Sequence, residues 1–279
     1  MDAILIAGGH APRRLAEVAG HSRKGLFSFG GMPLVQWVVR ALLQAGFPRV
    51  AVVGSELLMQ ALPEDPNRVF FATEGRDPID NLLRGAERLG LGPHDRFLHS
   101  AVDLPMITPE AVKDLLAHDD PEADLVAGLV PEAVFLGVYP GAPYRALSFQ
   151  EGNFLNASVS IMRVGFLQQH APLLHKLAES RKSLVRSLWH LSLAFHYHWF
   201  TRGLPALARF VAGRLSIHEL PLLAERTVNA RIRFYLSVMP ELVYDVDTVE
   251  DYEYARAWVA DQRRRRLQES AHPIFIDQS

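Results

Sequence analysis

Gly8 and Gly9 follow directly on a short apolar run at residues 3–7, and cationic side chains come close behind: Arg13, Arg14, Arg23 and Lys24. A glycine loop at the end of a strand presents backbone N–H groups that can cradle phosphate oxygens. Guanidinium and ammonium groups match the charge of a triphosphate. A charged surface loop is the competing reading. The loop is not G-x-G-x-x-G, because Ala11 and Pro12 intrude, and no G-K-[ST] follows, so dinucleotide dehydrogenases and P-loop NTPases lose support. Further on, Asp103 follows the apolar run 96–102 in Val102-Asp103-Leu104-Pro105. A carboxylate there can meet a hard divalent cation that takes its remaining ligands from phosphate, or can cap the turn into Leu104-Pro105. Asp245 and Asp247 form a second acidic pair, ending a predicted strand at 242–246. Alternation would place both on one face, and either is placed to N-cap the following helix.

The twelve histidines include His196-Tyr197-His198, but i and i+2 on a helix point to different sides and cannot share one ion. Core or surface histidines are expected. The chain has no cysteine, which removes thiol nucleophiles, thiolate zinc sites and iron–sulfur clusters. No G-x-S-x-G elbow supports a serine hydrolase.

These residues need a frame. Apolar runs at 3–7, 50–53, 69–72, 96–102 and 124–130 read as strands, separated by helical periodicity. The clearest helix opens at Pro33, repeats Leu34, Val35, Trp37, Val38, Ala41, Leu42 and Ala45, and stops at Gly46. Others are expected at 55–62, 79–89 and 109–117, the last N-capped by Thr108. This order predicts an α/β fold with a doubly wound, mostly parallel sheet whose ligand site lies at the carboxyl ends of the strands. Residues 131–162, punctuated by Pro131, Pro140, Gly141 and Pro143, read as short β-like pieces making an excursion from the sheet. Helices at 164–226 follow, then strand-like 231–238 and a last helix at about 249–268, whose Arg263–Arg266 run suits a solvated helix end. One domain with a helical insertion is expected: core 1–130, excursion and insertion 131–230, return strands and C-terminal helix 231–279.

Twenty-nine basic against thirty-one acidic residues give a net charge of −2, so neither a nucleic-acid footprint nor an acidic tail is written into the chain. A small, neutral-to-anionic partner is the expectation. The N-terminus lacks the shape of a signal peptide, and no run of about 18 apolar residues would span a membrane. A cytoplasmic protein that binds neither nucleic acid nor membrane is expected.

Taken together, Ala7-Gly8-Gly9 with Arg13, Lys24-Gly25-Leu26, Gly30-Gly31-Met32-Pro33-Leu34, Asp103-Leu104-Pro105 and Asp245-Val246-Asp247-Thr248-Val249-Glu250-Asp251 resemble the MobA-like NTP transferases. Molybdenum cofactor guanylyl- and cytidylyltransferases and sugar-nucleotide pyrophosphorylases are similar. The likeness covers residues 1 to about 130 and about 240 to 260. It implies a Rossmann-like nucleotidyltransferase that moves an NMP from an NTP to a phosphorylated or hydroxyl small-molecule acceptor. In that reading Ala7, Gly8, Gly9 and Arg13 wrap the β- and γ-phosphates, and Lys24 neutralises the α-phosphate. Asp103 holds Mg²⁺ with Asp247 as partner and Asp245 in reserve. Asn81 falls where relatives contact base or ribose, although a helix N-terminal polar residue explains it equally well. Asn156, Ser158, Arg181 and Lys182 are the resemblance's acceptor-side candidates. The chain departs from the family at Ala11 and Arg14, and its stretch from Arg13 to Lys24 is long. Two rival readings stand beside this one. A glycosyltransferase would use Asp245-Val246-Asp247 as a D-x-D motif, and a non-catalytic module would bind nucleotide without turnover.

Overall fold

Strand β1 (Asp2–Ile6) is apolar on both faces, as a strand covered by helices on both sides must be. Ala3 and Leu5 point into one buried cluster and Ile4 into another. The computed structural model describes residues 1–62, 65–180 and 204–271. Its main sheet adds β4 (Val50–Gly54), β5 (Val69–Thr73), β6 (Arg96–Ala101), β7 (Leu125–Pro131), β8 (Leu147–Phe149), β9 (Gly152–Arg163) and β10 (Ile232–Leu236), and β2 (Ser28–Phe29) pairs with β3 (Met32–Pro33) in a small hairpin. The order is β10-β7-β9-β6-β1-β4-β5, with β8 beside β9. Pairs β5–β4, β4–β1, β1–β6 and β7–β10 are parallel, whereas β9 runs antiparallel to both β6 and β7. The expected α/β class and mostly parallel sheet are therefore present.

Helix α2 (Leu34–Ala45) buries Leu34, Val35, Val38, Val39, Ala41, Leu42 and Ala45. Pro33 is its N-cap, and Gly46, at φ +108°, lets its N–H turn back to the carbonyls of Leu42 and Leu43. On the same face lies α4 (Pro109–Ala117), capped as expected by Thr108, whose side chain accepts from the Ala111 N–H. The opposite face carries α3 (Pro78–Leu89), N-capped by Asp77, and α6 (Val164–Ser180). The chain is completed by α5 (Glu132–Val138), α7 (Leu204–Val211), α8 (Leu220–Val228) and the long α9 (Val249–Ala271). No helix among the described residues is long and apolar enough to cross a membrane.

Four expectations need correction. Residues 131–162 are not only an excursion, because β9 is a twelve-residue strand in the middle of the main sheet. Its Leu155, Ala157, Val159 and Ile161 alternate into the larger core, giving a long strand in place of short pieces. Residues 242–246 form no strand. A 3₁₀ turn at Pro240–Leu242 precedes an irregular segment joined to the sheet edge by a bond from the Val246 N–H to the Asp103 carbonyl. The helix expected at 55–62 is a 3₁₀ turn at Glu56–Ala61. Finally, the long stretch before Lys24 contains helix α1 (Arg13–Ala19), which packs Leu15 inward and ends at Gly20.

Candidate active site

Parallel neighbours end together, so the residues after β1, β5 and β6 meet at one edge. Three backbone bonds fix this: Ala7 N–H to Val53 carbonyl at 2.7 Å, Glu74 N–H to Gly54 carbonyl at 2.9 Å, and Val102 N–H to Ile6 carbonyl at 3.0 Å. Gly8 lets two side chains close on the loop. A Cβ there would lie 2.6 Å from Glu74 Oε2 and 3.0 Å from Asn81 Nδ2. Gly9 adopts φ +92°, in the left-handed region. The far end of the loop is pinned where the Ala11 N–H donates to the Ser22 carbonyl at 2.8 Å, which leads the chain to Arg23 and Lys24.

Glu74 gave no signal in sequence, and it occupies this loop. Its Oε2 accepts from the Gly9 N–H at 3.2 Å, and its Oε1 pairs with Arg23 at 2.7 Å. Arg23 is thus a committed, largely buried partner of a carboxylate. Asn81 is 5% exposed, and its Oδ1 accepts from the Gly75 N–H at 2.6 Å while its amide faces Gly8. It braces the segment after β5 and borders the glycine loop. The helix cap itself belongs to Asp77. Arg13 starts α1, is exposed, and donates to Glu17 one turn on at 2.9 Å.

Beside the loop, Lys24 joins two segments far apart in sequence. Its Nζ donates to Asp103 Oδ2 at 2.7 Å and to Asp247 Oδ1 at 2.5 Å. The Lys24 and Asp103 side chains are 15% and 17% exposed, Asp247 58%. Burial pulls the lysine pKa down, but the two carboxylates overcome it and hold the ammonium above its ordinary value. Asp245 is an exposed residue, although its carboxyl sits among protein groups that desolvate it. Desolvation by the surrounding protein, reinforced by the carboxylates of Asp103 and Asp247, pushes its pKa up to about 7. Two carboxylates bond the one ammonium, and the third, Asp245, feels its charge without a direct bond. Neither Asp245 nor Asp247 caps α9. Thr248 and Asp251 do so reciprocally: Thr248 Oγ1 accepts from the Asp251 N–H at 3.2 Å, while Asp251 Oδ2 accepts from the N–H groups of Thr248 at 2.7 Å and Asp247 at 3.0 Å. The cap leaves both aspartate side chains available to the cleft.

Because β9 is antiparallel to β6, its early residues lie at this same edge. Asn156 and Ser158, two apart on a strand, share a face, and both line a cavity of about 360 Å³ with Asp245, Asp247, Tyr144 and Arg145. The pairing of β9 with β7 shifts here, from Ala127 opposite Ser160 to Leu129 opposite Asn156, so Ser158 lies within the irregular stretch of β9. Arg145 is exposed and has no carboxylate partner among the described residues. Arg181 and Lys182 lie outside the described residues, as does His196-Tyr197-His198. The rings of Phe135 and Tyr244 stack at 6.1 Å, and the Tyr244 hydroxyl donates to the Asp251 carbonyl at 2.9 Å, fixing the segment that carries Asp245 and Asp247.

The arrangement is an edge-of-sheet cleft with a glycine loop, a buried ammonium between carboxylates, and an adjoining polar cavity. Among solved structures, a hypothetical transferase from Thermus thermophilus is similar over 90% of this chain and 99% of its own, with 26% identity and a TM-score of 0.72. CMP:2-keto-3-deoxy-manno-octonic acid synthetase, solved with CTP, shares the fold at 18% identity and a TM-score of 0.59, covering 94% of this chain and 99% of its own. A nucleotidyl transferase from Methanothermobacter thermautotrophicus does so at 17% identity and a TM-score of 0.54, over 94% of this chain and 98% of its own. Among curated proteins, no sequence matches this chain. The MobA-like NTP transferase domain matches residues 3–212, and the chain belongs to that family of nucleotidyltransferases.

Proposed function

We propose that this chain is a single nucleotidyltransferase domain that moves an NMP from an NTP to a phosphorylated or hydroxyl small-molecule acceptor, releasing pyrophosphate, with Mg²⁺ as cofactor. The observation that carries the proposal is the Lys24 bridge between Asp103 and Asp247 beside the glycine loop. An acceptor oxygen attacks the α-phosphorus in line, and the bond from that phosphorus to the bridging oxygen of pyrophosphate breaks. The chain's work is positioning and charge compensation. N–H groups of the Ala7-Gly8-Gly9 loop and the Arg13 guanidinium hold the β- and γ-phosphates, and Lys24 meets the α-phosphate as negative charge grows on its oxygens. For the loop to do this, the Glu74 carboxylate must yield the Gly9 N–H. Asn81, next to Gly8, would meet base or ribose.

The donor set suits a hard divalent cation. Three carboxylates outnumber the one ammonium, and desolvation, together with the charges of Asp103 and Asp247, disfavours the charged form of Asp245. Among the described residues no three His, Asp or Glu side chains are arranged to hold a metal alone, and Mg²⁺ characteristically takes one or two carboxylates and completes its octahedron with water and phosphate. Asp103 and Asp247 would hold it, with Asp245 in reserve, and when bound it would offset charge on the phosphate oxygens.

The cavity lined by Asn156, Ser158 and Arg145 is the proposed acceptor site, and the guanidinium of Arg145, without a carboxylate partner among the described residues, favours an anionic acceptor. A phosphate acceptor needs no general base. Pyrophosphate release, measured with each of the four NTPs and Mg²⁺ against a panel of sugar phosphates, polyol phosphates and keto sugar acids, tests the proposal. Acceptor-dependent release with one NTP supports it. Sugar transfer from a nucleotide sugar, or binding of NTP without turnover across the panel, would overturn it.

A further inference from the structure

A second cleft shares no lining residue with the acceptor cavity. It has a volume of about 480 Å³ and lies between α9, the loop after Asp103 and the end of α5, within the range that holds small molecules. Trp37, Trp258, Met32 and Met106 give it an apolar, aromatic character. Two polar groups interrupt that wall. Tyr139 is only 2% exposed, and among the described residues its hydroxyl makes no hydrogen bond. Glu241 also lines the cleft, and its Oε2 is buried with no hydrogen-bond partner. Burial, with Glu110 as a like charge nearby, pushes the Glu241 pKa up against the opposing effect of its own backbone N–H. The only cation among the cleft's lining residues, Arg263, donates instead to the Gly30 carbonyl at 3.0 Å.

A buried carboxylate oxygen left unpaired is costly unless something supplies its partner. The Trp258 ring meets Tyr139 edge-on at 5.0 Å, so the cleft wall offers flat aromatic surface next to those polar groups. We propose that this cleft is a second ligand site, for a planar aromatic molecule that carries N–H donors toward Glu241 and Tyr139. Ring surface would be buried against Trp258 and Trp37, and the donors would pair with the Glu241 carboxyl and the Tyr139 hydroxyl oxygen. Its walls include Pro105, two residues beyond Asp103, so occupancy would be felt next to the transfer centre while leaving that centre open.

The test uses the full chain and 2-aminobenzimidazole, whose ring N–H and exocyclic amine pair with a carboxylate, alongside 1,2-dimethylbenzimidazole, which has the same shape without donors. Tryptophan fluorescence and titration calorimetry at pH 8 should show saturable binding of the amino probe, weaker for the dimethyl probe by roughly tenfold to a hundredfold. Glu241→Gln should erase most of that difference, and Val138→Trp, which fills the cleft from a residue 39% exposed, should abolish binding of both. Saturating NTP with Mg²⁺ should not compete, which keeps the result separate from the transfer site. Absence of saturable binding, binding that survives Val138→Trp, or displacement by NTP would overturn the proposal. Binding that appears only after residues 272–279 are removed would assign the cleft to the chain's own C-terminal segment and overturn it as well.

Discussion

Replacing Lys24 with alanine removes the one cation that bridges Asp103 and Asp247, at 2.7 and 2.5 Å, from a side chain 15% exposed. Two losses follow, and they are separable. The fold loses a partly buried ion pair and leaves Asp103 beside two other carboxylates, at a cost of about 1–3 kcal/mol, so the melting temperature should fall by roughly 2–10 °C for a chain of this size. In the proposed role, catalysis would lose a charge that meets the α-phosphate most strongly in the transition state, which is worth about 3–4 kcal/mol or roughly 10² to 10³ in rate. Lys24→Ala should therefore lower kcat far more than it raises the KM for NTP. Lys24→Arg should rescue the melting temperature better than the rate, because a planar fork cannot take the position of a compact ammonium. Arg23→Ala is not a surface control, since Arg23 holds Glu74 at 2.7 Å. Arg40→Ala, on the exposed side of α2, is the proper comparison. Single-turnover rates measured well below the melting transition decide the matter. A Lys24→Ala rate within a few-fold of Arg40→Ala would refute the catalytic role and leave Lys24 a fold-stabilising ion pair.

Asp103→Asn and Asp247→Asn should each remove most activity, while the ligand-free melting temperature holds or rises because Lys24 keeps one bonded carboxylate and the cleft loses a like charge. An active Asp103→Asn enzyme with unaltered Mg²⁺ dependence would contradict the assignment, and wild-type behaviour of Asp247→Asn alone would shift the second ligand to Asp245. Asn156→Ala, Ser158→Ala and Arg145→Ala should raise the acceptor KM by roughly tenfold or more while leaving NTP binding alone. Equal weakening of both substrates would make the cavity wall structural. His99, partly buried on β6 beside Ser160, has its pKa lowered by burial to about 4 from the ordinary 6.5. The unfolded chain then takes up this proton first, so stability is lost as pH falls from about 6.5 toward 4, by about 2–3 kcal/mol at pH 4.5. Melting curves of His99→Gln between pH 4.5 and 7.5 should show a shallower acid limb than wild type, and parallel limbs would refute the shift.

What the sequence revealed and what it hid have physical causes. Gly8, Gly9 and Asp103 were legible because parallel strands bring their carboxyl ends together, so a strand followed by glycines and a strand followed by aspartate point to one edge. Helix α1 was obscured by Pro12, Arg13 and Arg14, which read as loop although Leu15 anchors a helical turn. Strand β9 was masked by the prolines and glycines before it, even though Leu155, Ala157, Val159 and Ile161 carry a period of two. Asp245 and Asp247 were placed at one edge by a strand that does not exist. The Thr248–Asp251 cap and the Val246 bond to Asp103 achieve the same result with irregular backbone. Glu74 was invisible because only the tertiary return of β5 beside β1 brings its carboxylate to Gly9.

The central claim concerns which phosphorus is attacked. Parallel reactions with α-³²P- and γ-³²P-labelled NTP, Mg²⁺ and the acceptor panel, resolved by chromatography, follow each label to its product. The account predicts that α-label enters the acceptor adduct and γ-label leaves as pyrophosphate in equal amount, and that both fall together in Lys24→Ala. The γ-label on the acceptor, or its release as orthophosphate, would contradict the account.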